Sequence, residues 1–423
     1  MNTATDHTPT DSGGALAPPY VAPPQLKNVF LAAAGAGALA FLAYVLLDDA
    51  GRVWQALLVN VLFFAGLAQA GVVFSALLQA TSAGWGRPLK RVAEATGAFL
   101  PAAFILTLVL LAGIGVWAPW VAEPVEAKAA WLNVPFFVAR EVVAIALLSG
   151  LSLVYIYRSV RPDVGMLHES GERPVSGLAA RCIADWRGIG SEREAGQRSQ
   201  DRLAVALLIA YGWVYTLIAF DFVMSLEPHW FSTLFGGYYF IGALFSGLAF
   251  LAIVAAVGSG PIGIGAAVSR QQLHDIGKLL FGFSILWAYM FWSQYLVIWY
   301  GDLAEETEFI YHRMHGQWTV IAWTVAAAAF AIPFATLLSR ALKMRPKGLA
   351  TIAGIALAGM WLERFILVAP SLWHEATLPL GIPELLMTAG VGGLFAWCYL
   401  SFLERFPTLP VSDPKLAAST GLH

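Results

Sequence analysis

Two cysteines in 423 residues, Cys182 and Cys398, are too few and too far apart for a disulfide framework or an iron–sulfur site. No C-x-x-C-H run is present for covalent attachment of a haem. Histidine is scarce where a b-type haem would need it, because His229, His274, His312, His315 and His374 fall in loops or at the ends of apolar runs rather than as a facing pair inside them. Charge is scarce too: 12% of the residues are charged against 58% hydrophobic, and the mean hydropathy is +0.68. So much apolar surface does not fit inside one water-soluble core, which makes lipid part of the solvent. A net charge of −2 carries no basic stripe for nucleic acid. No Walker-type loop occurs; Gly258, Gly260 and Gly263 spell G-x-G-x-x-G, but they end an apolar run and enclose Pro261, which reads as a glycine-rich turn.

What the chain does contain is ten runs of about 20 or more apolar residues, each enough to cross the hydrocarbon core. Flanking charges and turn residues place them near 28–47, 53–80, 92–120, 133–157, 203–226, 236–257, 277–300, 317–339, 349–370 and 382–403. The expectation is an all-α integral membrane protein. Residues 1–26, rich in Thr, Pro, Ala and Gly, read as a disordered tail, and 406–423 as a second tail. The first run follows Lys27, outlasts the apolar part of a secretory signal and leads into Asp48 and Asp49, so it reads as a span covering 27–47. The only sizeable soluble segment is the loop 159–201.

With the N-terminus inside, 20 of the 25 Lys and Arg residues fall on the inner side, and only Arg52, Lys128 and Arg313 on the outer. The positive-inside rule therefore puts both termini in the cytoplasm. The outer loops are acidic, with Asp48, Asp49, Glu123, Glu126, Glu227, Asp302, Glu305, Glu306 and Glu308, which favours a basic external partner.

Five ionisable residues lie within spans: Arg140, Glu141, Asp221, Glu363 and Arg364. Each is costly in hydrocarbon and so marks either a buried ion-pair cluster that fixes helix register or a path for protons or ions. All sit roughly 7–12 Å below the outer surface at 1.5 Å per residue. Neighbours on a helix diverge by about 100°, so pairing of each Arg with the other helix's Glu is open. The inner half offers few titratable groups beyond Glu94, His274 and Asp275, so a continued path would draw on water, Tyr215, Thr216 and Ser284. Glu308, His312 and His315 share a helical face at i, i+4, i+7 without forming a defined metal motif, and read as a solvated or partner-facing helix start. Sixteen tryptophans suit interfacial belts and helix packing, and a quinone-ring slot would use the same residue types.

Two segments carry a family resemblance. F-D-F-V-M-S-L-E-P-H-W-F-S-T-L-F-G-G-Y-Y-F (220–240) and W-S-Q-Y-L-V-I-W-Y-G-D-L-A-E-E-T-E-F-I-Y-H-R (292–313) resemble the NrfD-like membrane subunits of bacterial alternative complex III. The second segment, with A-G-W-G-R-P-L-K-R-V-A-E (83–94), is more similar to the ActF type than to the quinol-site-bearing ActC type. The resemblance implies two four-helix bundles, 53–226 and 236–370, with one flanking helix at each end, the last over 382–405. It implies a subunit of a bacterial inner-membrane quinol oxidoreductase that passes electrons to a periplasmic cytochrome c or high-potential iron–sulfur protein. Haem c and iron–sulfur clusters are then expected in partner subunits, among them an NrfD-like paralogue and a multihaem cytochrome, with no cofactor bound by this chain and quinone unassigned. Asp221, Glu227 and His229 are motif positions that a structural role would also explain. The competing class is a stand-alone ion-coupled transporter, which usually shows broken helices near the midplane.

Topology gives the first test. Reporter tags at both termini should read cytoplasm and a tag between Asp302 and Arg313 should read the external face. An external C-terminus would contradict the ten-span count.

Overall fold

The computed structural model describes residues 20–46, 50–171 and 177–416. The tail readings for 1–19 and 417–423, the acidic pair Asp48 and Asp49, and Glu172 and Arg173 of the inner loop lie outside the described residues. The described residues are almost wholly helical and include ten helices long and apolar enough to span a membrane: α1 (Pro24–Leu46), α2 (Ala50–Ala80), α3 (Arg87–Ala112), α4 (Val134–Glu169), α5 (Ile189–Leu226), α6 (Phe235–Ile262), α7 (Arg270–Gly301), α8 (Gly316–Leu337), α9 (Pro346–Leu372) and α10 (Ile382–Arg405). The protein is an all-α multi-pass membrane protein.

Its apolar surface is arranged for lipid. Trp213 on α5 is 76% exposed and Val320 on α8 is 72% exposed, and Leu147 on α4 and Val297 on α7 also point outward. A water-soluble protein would not leave such faces uncovered. The centre belongs to α2, which packs on α3, α5, α6, α9 and α10. Its buried polar residues, Gln55, Asn60, Gln69, Ser75 and Gln79, are spread over about 36 Å of helix at 1.5 Å per residue.

Irregular turns have a common cause. The tight turn Ala95–Phe99 precedes Pro101, and the widened turns Val254–Gly258 and Ala326–Ala331 precede Pro261 and Pro333. Each proline lacks an N–H and its ring crowds the carbonyl four residues earlier, which lies in the altered turn. Pro162 sits inside α4, and the Arg158 carbonyl that it releases accepts a hydrogen bond from Gln200 Nε2 at 3.2 Å. In lipid such a carbonyl must find another donor. Gly263, at φ +84°, closes α6 in the left-handed conformation that glycine adopts freely, so the glycine triplet here is a helix end.

The sequence reading needs one correction here. Residues 159–169 and 189–201 continue α4 and α5, and carry Asp163 and Gln200 into the interior, so the loop is shorter than 159–201.

The start of α1 and the end of α10 meet at one end of the helices, where Lys27 Nζ lies 2.5 Å from Glu404 and the Ala22 N–H donates to the same carboxylate at 3.1 Å. This is called the terminal end below. First and last spans pack backbone to backbone through Gly37 and Gly390: a Cβ on Gly37 would lie 2.6 Å from Gly390 Cα. Small residues permit such an approach in lipid, where dispersion contacts replace the hydrophobic effect. Gly37→Ala should therefore cost about 1–3 kcal/mol through overpacking. Gly35→Ala, on the same helix with open space around it, should be neutral or stabilising by up to about 1 kcal/mol. Thermal inactivation in detergent measures both.

Candidate functional site

The span charges named from sequence form two groups at the end opposite the terminal end. On α4, the Arg140 Nε donates to Asp221 Oδ2 of α5 at 2.6 Å, and its Nη1 donates to the Trp131 carbonyl at 2.7 Å. The Trp131 indole donates to Asp221 Oδ1 at 3.0 Å, and the guanidinium lies 4.2 Å from the Trp131 ring centroid. Asp221 is thus satisfied on both oxygens. Glu141, next in sequence and fully buried, interacts with the Asp221 carboxyl group, but neither of its oxygens meets a hydrogen-bond donor among the described residues.

The second group is on α9. Arg364 Nη1 donates to Glu363 Oε2 at 2.7 Å, its Nη2 donates to the Tyr239 carbonyl at 3.0 Å, and its guanidinium lies 3.9 Å from the Tyr239 ring centroid. Adjacent residues pair here because the long arginine side chain bends back. Arginine partners therefore differ from the cross-helix Glu pairing left open by the sequence: Arg140 takes Asp221, and Arg364 takes its own neighbour. Glu363 Oε1 and the Tyr239 hydroxyl remain without a hydrogen-bond partner among the described residues.

A third ion pair joins the two resemblance segments. Arg313, on the short helix Ala304–Met314, donates to Glu227 at 2.7 Å, and Ser371 of α9 donates to the same Glu227 oxygen at 2.6 Å. Burial holds the Arg313 guanidinium below its ordinary value, with Glu227 pulling the other way. Lys128, in the loop before α4, is likewise lowered by burial and donates to the Pro228 carbonyl. His229 is exposed. Glu308 and His312 approach to 3.8 Å, while His315 stacks on Tyr311. Among the described residues no group of three or more His, Cys, Asp or Glu is placed to hold a metal ion.

Sequence reasoning missed the largest cluster, which lies at the terminal end. Arg87, Lys90 and Arg91 on α3 face Glu94, Asp163 and Asp413, three cations against three carboxylates. Arg91, Glu94 and Asp163 are all fully buried, with Arg91 bridging the two carboxylates. Glu94 Oε1 accepts from Ser75 and Ser159, each at 2.7 Å, and Ser75 lies 3.1 Å from the Tyr155 hydroxyl. The chain beyond α10 closes the cluster: Asp413 accepts from Arg87 at 2.7 Å, and the Ser412 N–H donates to Asp163 at 2.7 Å. From sequence, Arg87, Lys90 and Arg91 counted only as inner flanking charges. The i, i+3 spacing of Arg91 and Glu94 was the available signal. His274 and Asp275 stand apart at the start of α7, where Asp275 pairs with Lys278 at 2.7 Å.

Between the two ends lies a line of neutral polar groups. Gln69 of α2 and Ser152 of α4 are hydrogen-bonded at 2.9 Å, and a cavity of about 40 Å³ runs from Gln69 past Thr107 and Tyr215 to Tyr239. One water needs roughly 10–15 Å³ of such space, so the cavity has room for water. Thr216 and Ser284 donate to carbonyls of their own helices, and Tyr215 to the Ala65 carbonyl at 3.0 Å. The neutral polar groups between the two ends thus fall into separate sets: Ser75 with Tyr155, Gln69 with Ser152, and the cavity-lining Tyr215 and Tyr239.

Breaking one partner of a buried pair leaves a bare charge. Asp221→Asn should cost about 3–5 kcal/mol in stability, and the double variant Arg140→Met/Asp221→Asn should recover much of it. Thermal unfolding of the four variants in the cycle measures this coupling. No protein-family model matches the chain, and no curated protein sequence matches it.

Proposed function

We propose that the chain is a non-haem membrane subunit of a bacterial respiratory quinol oxidoreductase, supporting assembly of the complex and carrying protons between its two buried charge groups. In this reading it lies in the cytoplasmic membrane with the terminal end inside. The electron carriers, haem c and iron–sulfur clusters, belong to neighbouring subunits, and the acceptor is a cytochrome c or high-potential iron–sulfur protein.

Glu141 carries the argument for protons. A purely structural carboxylate would take up the nearest cation, yet Arg140 turns its Nε to Asp221 and its Nη1 to the Trp131 carbonyl, and Glu141 is left without a donor among the described residues even though Arg140 Nη2 also has no partner there. Two close carboxyl groups against one guanidinium are best accommodated by a bound proton. From there Tyr239, the 40 Å³ cavity, Gln69, Tyr155 and Ser75 supply hydroxyl, amide and water positions toward Glu94. The resemblance of 220–240 and 292–313 to alternative complex III subunits supports the oxidoreductase setting.

A stand-alone transporter is less well supported. Its substrate site would be expected where helices break, but the altered turns Ala95–Phe99, Val254–Gly258 and Ala326–Ala331 contain no charged residue.

The test uses the assembled complex in vesicles, with quinol oxidation and proton release followed together. Glu141→Gln should leave assembly and electron transfer intact and lower the protons moved per electron, and Ser75→Ala should slow proton movement several-fold. Unchanged proton movement in both Glu141→Gln and Glu363→Gln would overturn the proton role.

A further inference from the structure

A second group of cations stands at the terminal end, where the start of α7 meets the connection between α8 and α9. The first turns of α7 carry His274, Asp275 and Lys278, and the single turn Arg340–Lys343 supplies Arg340 and Lys343. No Asp or Glu occurs between Glu308 and Glu363, so the connection brings no carboxylate of its own. Arg340, Lys343 and Lys278 are all close enough to His274 to act on its charge, with Asp275 opposing them. That carboxylate is already taken: Lys278 Nζ lies 2.7 Å from Asp275 Oδ1. Arg340 and Lys343 are left as unbalanced charge.

A lysine at a span end ordinarily stretches its ammonium into water, yet Lys343 is only 7% exposed. Its stem lies against α7 at Gly277, where a Cβ would stand 2.9 Å from Lys343 Cγ, and its Nζ is 5.7 Å from the Phe281 ring centroid. Among the described residues it makes no ion pair or hydrogen bond. Burial and the Lys278 charge both hold the Lys343 ammonium below its ordinary value. His274 adds a buried ring nitrogen, Nδ1, that also lacks a hydrogen-bond partner among the described residues. A shielded ammonium among like charges is costly unless an anion joins it. Beside the cations the surface turns apolar: Leu338 is 62% exposed, and the half-exposed Phe334 stacks on Phe281 with centroids 5.7 Å apart. Charged and apolar surface adjoin here in the order in which a phospholipid presents its headgroup and its acyl chains, and a soluble anion would use only the first.

We infer that Lys343, Arg340 and His274 form a binding site for the phosphodiester headgroup of an anionic phospholipid, whose acyl chains lie along Phe334 and Leu338. The phosphate supplies the negative charge that Asp275, matched by Lys278, does not. A zwitterionic headgroup would bring its own cation among like charges and bind less well. Binding involves no covalent or redox step. Neither proton carriage nor the oxidoreductase setting enters this inference, so it stands apart from the proposed function.

The test uses the full-length chain, purified in a neutral detergent and stripped of lipid, with native mass spectrometry to measure bound lipid and thermal unfolding to follow stability. Dioleoylphosphatidylglycerol should bind about tenfold more tightly than dioleoylphosphatidylcholine and raise the melting temperature more. Lys343→Met keeps the stem against Gly277 and removes the ammonium, so it should weaken phosphatidylglycerol binding about tenfold and, without lipid, melt no lower than the unaltered protein. Arg340→Gln, at an exposed position, should weaken binding several-fold and decides the matter should Lys343→Met fail to fold. Arg198→Gln, which removes a 69%-exposed cation on α5, should change nothing. Equal affinity for the two lipids, equal stabilisation by millimolar inorganic phosphate alone, or unaltered phosphatidylglycerol binding in a folded Lys343→Met protein or in Arg340→Gln would each overturn the inference.

Discussion

A charge in hydrocarbon has to be paired, and that constraint organises the protein. Between their ends α4, α5, α7 and α8 turn outward apolar residues such as Leu147, Trp213, Val297 and Val320, while the charges that do enter are gathered at two depths. At the terminal end, Arg87, Lys90 and Arg91 balance Glu94, Asp163 and Asp413. At the far end, Arg140, Arg313 and Arg364 each take a carboxylate from α5, from the α5–α6 connection or from α9 itself. Because the partners come from different helices, the pairs at Asp163, Asp221 and Glu227 set helix register as well as neutralising charge. The closing contacts of Asp413 and Ser412 extend this to the chain beyond α10, whose placement depends on the same cluster.

Against that background the unsatisfied groups stand out. Pairing is nearly complete at the terminal end, where Glu94 and Asp163 have several donors each. At the far end Glu141, Glu363 Oε1, the Tyr239 hydroxyl and the Trp287 indole have none among the described residues. Incomplete satisfaction in a low-dielectric interior costs stability, and in native proteins it concentrates where protons or ligands are handled. Tyr239 lines the water-sized cavity and lies near both Glu141 and Glu363.

Much of this could be read from residue order alone. Ten spans, their approximate limits and the five far-end charges follow from apolar runs interrupted by single Asp, Glu and Arg residues. Pairing did not follow, because a 100° step between neighbours says nothing about how far an arginine can fold back, as Arg364 does onto Glu363. The terminal cluster stayed hidden for a different reason. Charges at a span end are normally snorkelling residues that face water, and only the tertiary packing of α3 against α4, α5 and the segment 406–416 shows Arg87, Lys90 and Arg91 to be buried. Altered turns ahead of Pro101, Pro261 and Pro333 were within reach of sequence reasoning, whereas the cavity at Tyr215 and Tyr239 depends on how aromatic side chains meet across helices and was not.

The central claim is that Glu141 holds an exchangeable proton instead of serving as one more ion-pair partner. Infrared difference spectroscopy of the protein in H₂O and D₂O measures this directly through the carbonyl stretch of a protonated carboxylic acid. The account predicts a band of this kind that shifts on deuterium exchange and disappears in Glu141→Gln. A spectrum with no band removed by Glu141→Gln, or a Glu141 band that never shifts in D₂O, would contradict it.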